Sequence, residues 1–143
     1  MRTCFEMPQK SLSASQIVRH MQDLKTVALA TGTVKGEPRV APTASTLYRE
    51  QFHIPTVADS ARTKHIAKRP GISMSYFDEN DLAIIVHGHG EILTQLHPDF
   101  MELDGILKEV NGRGVLDWGD GIYIRIVADK LFSFARHPEQ FPG

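Results

Sequence analysis

The strongest constraint in this chain is that its strand-like runs follow one another with only a turn between them. TVALATGT (26–33) is β-branched and alternating, VKGEP supplies a glycine turn, and RVAPTASTLY (39–48) extends away from it, so the two runs predict a hairpin. YREQ is a second polar turn, leading into FHIPTVA (52–58). GISMSYF (71–77), the DEND turn and LAIIVHGHGEIL (82–93) predict another strand pair. The last run, GIYIRIVADKLFSFA (121–135), fits either a strand pair or one long bent strand. Parallel sheets need a crossover helix between nearly every two strands, and this chain has too few. The order therefore predicts a mainly β fold, a small antiparallel barrel of about six strands with a few short helices.

Helical patterns occur at three places. Ser13 and Gln16 stand at capping-box spacing, and Ile17, Met21 and Leu24 then share a stripe, predicting a helix over 13–24. Pro98 at a first helical position, followed by Phe100, Leu103, Leu107 and Val110, predicts another over 98–110. Between them, DSARTKHIAKRP (59–70) carries five basic side chains, Arg62, Lys64, His65, Lys68 and Arg69. It reads as one short helix inserted between two barrel strands, with Asp59 or Ser60 as its cap. If Ser60 is the cap, the backbone N–H groups of Ala61, Arg62 and Thr63 are free at the positive end of the helix dipole, with Arg62 and Lys64 beside them. Such a helix start can cradle a phosphate dianion, and Arg62 can grip two oxygens at once. A plain solvated basic helix is the other reading, and Lys68 and Arg69 fit it best.

The surrounding sequence narrows the function classes. With 143 residues and a net charge of −1, the chain is expected to form one domain over 1–143, with 1–10 and 136–143 as tails. At this size about two thirds of the unfolded surface can be buried, and 41% hydrophobic residues supply the material. Aromatic content is only 8%, and no other stretch matches the basic density of 59–70, so nucleic acid is not an expected partner. The longest aliphatic run, LAIIV (82–86), falls far short of the ~20 residues that span a bilayer, so no membrane association is expected. Cys4 is the single cysteine, and MRTCFEMPQK lacks the apolar core of a secretory signal. A cytoplasmic location is expected.

No nucleophile and base pair stands out, so no catalytic residue is assigned. His87, His89 and Glu91 share one face of a strand, and two imidazoles with a carboxylate form a familiar metal set. Hydrogen bonding at a subunit contact is the competing reading, and no metal ligand is assigned. Gly88 and Gly90 fall on the opposite face, where close approach of a neighbour would explain them.

The succession GEPRVAPTAS, FHIPTVADSARTKHIAKRP and VHGHGEIL resembles the pyridoxamine 5'-phosphate oxidase-like split-barrel family of flavin and deazaflavin proteins, over roughly residues 11–135. The resemblance implies a six-stranded split β-barrel that binds FMN or a deazaflavin coenzyme. It places Arg62 on the cofactor phosphate, with Ser60, Thr63 and Lys64 in support. It sets the strand residues Arg39, Val40, Ala41, Pro42 and Thr43 along the ring edge, mostly through backbone, and Thr56 near the ring or the ribityl chain. It also implies a homodimer with cofactor grooves at the interface, where VHGHGE packs against the partner or its site. The end of the chain, IRIVADKLFSFARHPEQFPG, lacks the arginine- and proline-bearing motif of the oxidase that makes pyridoxal phosphate, so vitamin B6 oxidation is not expected. The expected function is an FMN-dependent oxidoreductase transferring hydride to or from a small organic substrate. A deazaflavin-dependent reductase, a non-catalytic cofactor-binding protein and a metal-binding barrel are the alternatives, and the shorter relatives also include haem-utilising proteins.

Overall fold

The computed structural model describes residues 10–143, so Cys4 and all but the last residue of the expected 1–10 tail lie outside the described residues. In chain order it contains α1 (Ala14–His20), β1 (Lys25–Gly32), β2 (Pro38–Tyr48), β3 (Gln51–Val57), α2 (Ala61–Lys68), β4 (Gly71–Asp78), β5 (Leu82–Leu93), α3 (Phe100–Asn111) and β6 (Gly121–Ala135). The strands are antiparallel and close in the order β1-β2-β3-β6-β5-β4. Period-two alternation sends Val27, Leu29, Met74, Ile84, Val86, Ile124 and Ile126 inward, where all are buried. The fold is the expected six-stranded antiparallel barrel.

Several local expectations shift. α1 carries the Ser13–Gln16 capping box but stops at His20, and Leu24 packs instead beside α3 in a second apolar cluster. Pro98 is not the first residue of α3, because Asp99 intervenes as the N-cap. The Asp99 carboxylate makes no capping bond and goes instead to Arg125 at 2.7 Å and Arg49 at 3.3 Å. The segment 136–143 does not trail off as a tail. A short 3-10 turn, Pro138–Gln140, brings Phe141 into the core at 7% exposure, and Gln16 Nε2 donates to the carbonyls of Pro138 and Phe141.

β6 is one long strand. Along β5 its register slips by one residue, since His87 lies opposite Lys130 while Gly88 lies opposite Ala128, which leaves Asp129 as the extra residue of a bulge. Gly88 faces that bulge so closely that a Cβ would stand 2.0 Å from the Val127 carbonyl oxygen. At Gly90 a Cβ would meet Ile66 Cγ2 at 3.0 Å and Ile124 Cγ2 at 3.1 Å. That empty space seats α2, whose Ile66 is buried in the barrel core, and Gly90 N–H also donates to the Pro70 carbonyl at 2.8 Å.

The feature that positions the site is where β2 and β3 part. They pair only next to their turn, through Thr46, Leu47 and Tyr48 opposite His53, Phe52 and Gln51. Beyond it, β2 runs on along β1 from Ser45 to Pro38, while β3 runs on along β6 from His53 to Val57. From Pro38 to Ser45, β2 is therefore an edge strand, a setting that tolerates Pro42. α2 follows β3 directly and lies along this seam.

His53 stands where the seam begins, fully buried. Its Nδ1 bonds the Gln51 carbonyl at 2.8 Å, and its Nε2 accepts from Arg125 Nε at 3.0 Å. The ring is thus neutral, with the proton on Nδ1. Burial, reinforced by the Arg125 charge, holds its pKa down to about 4 from an ordinary 6.5. The native state therefore binds fewer protons than the unfolded chain between those values, and stability falls as pH falls. His53 should cost nothing above pH 6.5, with a loss that grows toward pH 4 and levels at roughly 3 kcal/mol. Urea unfolding at pH 7.5 and pH 4.5 measures this loss, and His53→Gln should flatten its pH dependence.

Candidate functional site at the barrel seam

Where a barrel is continuous, inward residues are covered by the opposite wall. Arg39 and Ala41 of β2 lie opposite Thr31 and Leu29 of β1 and so share the interior face with these two buried residues. Both are nevertheless exposed, because β3 has departed. The slot so formed has a volume of about 200 Å³ and is lined by Leu29, Thr31, Arg39, Val40, Ala41, Ser60, Ala61, Arg62 and His65. Residues from β1, β2 and the start of α2 thus meet at one place. Two arginines and a histidine line it, and no carboxylate does.

The start of α2 is locked by its own hydroxyl groups. Ser60 is the N-cap and accepts from Thr63 N–H at 3.2 Å. Thr56 donates to Ser60 Oγ, the Ser60 and Thr63 hydroxyls lie 2.8 Å apart, and Thr63 Oγ1 donates to the Val57 carbonyl. With Thr63 donating to that carbonyl, Ser60 donates to Thr63, and every hydroxyl proton of the three is used within the protein. Thr56 and Thr63 are buried behind the slot, where they hold its shape. Of the three amides expected at the helix start, Thr63's is taken by the cap, which leaves those of Ala61 and Arg62 at the slot.

Arg62 is half-buried, and burial pulls its guanidinium below the ordinary value. It remains a cation at any physiological pH, yet among the described residues its side chain has no ion pair and no hydrogen bond. Arg39 pairs with Glu37 at 2.9 Å on the exposed rim. Lys64 lies outside the slot, where its exposed ammonium meets Asp59 at 2.9 Å. Arg69 is engaged as well, since its Nε and NH2 both donate to the Val34 carbonyl at 3.0 and 2.7 Å.

Of the other strand residues, Val40 and Ala41 border both the slot and a second, apolar groove of about 390 Å³, which Pro42 lines with Ala28, Ser75 and Phe77. Thr43 lies farther along β2, opposite Val27, and lines neither. His87 and His89 have different neighbours, Ser73 Oγ at 3.3 Å from His87 and Asp129 Oδ2 at 3.8 Å from His89. Among the described residues no group of three His, Cys, Asp or Glu is placed to hold a metal ion.

Thr31 and His65 are the slot residues that the motifs did not single out as a pair. His65 Nδ1 lies 2.9 Å from Thr31 Oγ1. The signal open to inspection was the spacing of His65 three residues after Arg62, which puts both on one face of a helix.

No family model matches the chain, and no curated protein does. Solved structures do. The conserved hypothetical protein Rv2991 of Mycobacterium tuberculosis is similar at 18% identity and a TM-score of 0.78, over 96% of this chain and 95% of that one. An F420 reductase is similar at 18% identity and 0.64, over 80% of this chain and 94% of that one. A putative pyridoxamine 5'-phosphate oxidase of Listeria innocua is similar at 12% identity and 0.64, over 82% and 94%. The fold is the six-stranded split β-barrel that these structures share. No helix among the described residues is long and apolar enough to cross a membrane.

Proposed function

We propose that the chain binds a phosphate-bearing flavin, FMN, and acts as a flavin-dependent oxidoreductase on a small organic substrate. Arg62 carries this reading. A half-buried cation with no protein anion beside it, in a slot that His65 also lines, costs desolvation energy that an incoming anion repays. The Ala61 and Arg62 amides and the helix dipole add to the attraction, and the locked start of α2 means that little has to be ordered on binding. Across the β2 edge, the apolar groove beside Val40 and Pro42 offers a surface suited to a flat aromatic ring.

The bound flavin would supply the hydride chemistry itself. The chain's own share is to grip the phosphate with Arg62, present the unpaired β2 edge from Arg39 to Thr43, and keep water from the apolar groove. FMN is preferred to a deazaflavin coenzyme because the anionic tail of the latter needs further free cations. Of the basic side chains of 59–70 outside the slot, Lys64 is neutralised by Asp59 and Arg69 has two donors committed to the Val34 carbonyl, which leaves Lys68 without a partner among the described residues. Catalysis, as opposed to cofactor carriage, is tested by reducing the bound FMN and following its reoxidation. A small quinone acceptor should reoxidise it much faster than air does, and equal rates would indicate a carrier.

The same reading includes a homodimer. Pro42, Ala28, Ser75, Ile85 and Phe132 lie side by side across β2, β1, β4, β5 and β6. They form an outward band with no charged residue, and Phe77 at its edge is 73% exposed. Such a band on the outside of a barrel fits a partner surface, and a second copy of this chain is the partner proposed. The mass in solution should be about twice 16.0 kDa by light scattering. A monomer that still binds FMN tightly would contradict the paired arrangement.

A further inference from the structure

His65 is held at the slot by a contact independent of the helix start. It lines the slot, half-buried, with Nδ1 2.9 Å from the hydroxyl of Thr31. Thr31 is itself buried, at 6% exposure, and belongs to β1, 34 residues away in sequence. A buried hydroxyl is a poor place to leave a donor unpaired, so this contact fixes the imidazole plane. With Nδ1 engaged, Nε2 is the ring nitrogen left for a ligand. The spacing from Arg62 puts guanidinium and imidazole on one side of α2, and both line the same slot.

We propose that His65, oriented by Thr31, contacts the phosphate of the bound ligand and sets the preference of the slot for a phosphate monoester over the same ring system without one. Thr31 is a positioning residue in this account, and the inference rests on the cofactor reading above. With Thr31 O–H donating to Nδ1, the ring carries its proton on Nε2 and donates it to a phosphate oxygen. Arg62 supplies the charge, and His65, on the same side of α2, adds a second, directional donor.

The test compares FMN with riboflavin, which lacks the phosphate, by fluorescence titration of the apoprotein and its variants, with unfolding midpoints as a control. His65→Ala should weaken FMN about tenfold, the size expected for one hydrogen bond to a charged group, and leave riboflavin unchanged. Thr31→Val keeps the shape of the side chain and should weaken FMN by a smaller factor, with riboflavin again unchanged. His65→Gln, which retains a donor, should recover part of the loss. An unchanged FMN-to-riboflavin ratio in His65→Ala overturns the inference. So does an equal fall for both ligands, which would mean that His65 only seats the helix. If Arg62→Ala lowers the ratio while His65→Ala does not, the cofactor reading stands and this inference alone fails. If wild-type protein binds the two ligands equally, both fail.

Discussion

Gly88→Ala is expected to destabilise the barrel by about 3 kcal/mol, the upper range for overpacking a closed interior. The added Cβ would stand 2.0 Å from the Val127 carbonyl oxygen, 3.0 Å from its carbon and 3.1 Å from Ala128 Cα. All three are backbone atoms, so no rotamer change relieves the contact. Relief requires β6 to move away from β5 at the bulge that accommodates Asp129, which breaks the pairing between Gly88 and Ala128. Gly105→Ala supplies the contrast. Gly105 lies within α3, and a Cβ there meets nothing within 4 Å, so alanine should stabilise by roughly 0.5–1 kcal/mol through helix propensity. Urea midpoints of the two variants should move in opposite directions. A Gly88→Ala midpoint equal to wild type would mean that the bulge yields freely.

Arg62→Ala is expected to leave the fold intact and to weaken FMN by roughly 10- to 100-fold, the range for losing hydrogen bonds to a charged group. The fold should survive because Arg62 has no partner among the described residues, while the hydroxyl chain of Thr56, Ser60 and Thr63 keeps the helix start in place. Lys64→Ala should change FMN affinity by no more than about twofold, since its ammonium is exposed and paired with Asp59. Equal losses in the two variants would argue for a diffuse basic surface in place of a slot. Salt should separate the same two cases, because a half-buried contact is screened less than an exposed one.

The elements were legible because alternation, turns and caps are local. The strands follow from short β-rich runs bounded by turn residues, and a cap at Asp59 or Ser60 follows from side-chain chemistry within a few residues, the structure choosing Ser60. Where an outcome depends on distant partners, the sequence is silent. Asp99 caps nothing because Arg125 and Arg49 claim its carboxylate, and Phe141 is buried because Gln16 holds its segment. The site divides in the same way. Arg62 and Ser60 were readable as an anion-binding helix start, whereas Arg39 and Ala41 entered through a family resemblance. Their exposure on an interior face depends on where the pairing of β2 and β3 stops, which no local pattern encodes. The contact of Thr31 with His65 arises only once α2 closes over β1.

The account stands or falls on the preference of the seam slot for phosphate. Its most direct measure is the ratio of FMN to riboflavin affinity in the wild-type protein, set beside the same ratio in Arg62→Ala, at moderate salt. The ring and ribityl chain are common to both ligands, so the ratio isolates the phosphate. The account predicts that wild type favours FMN by at least about tenfold, as one or more hydrogen bonds to a charged group require, and that Arg62→Ala loses most of that preference. Equal affinity for the two ligands in wild type, or a preference that survives the loss of Arg62, would contradict it.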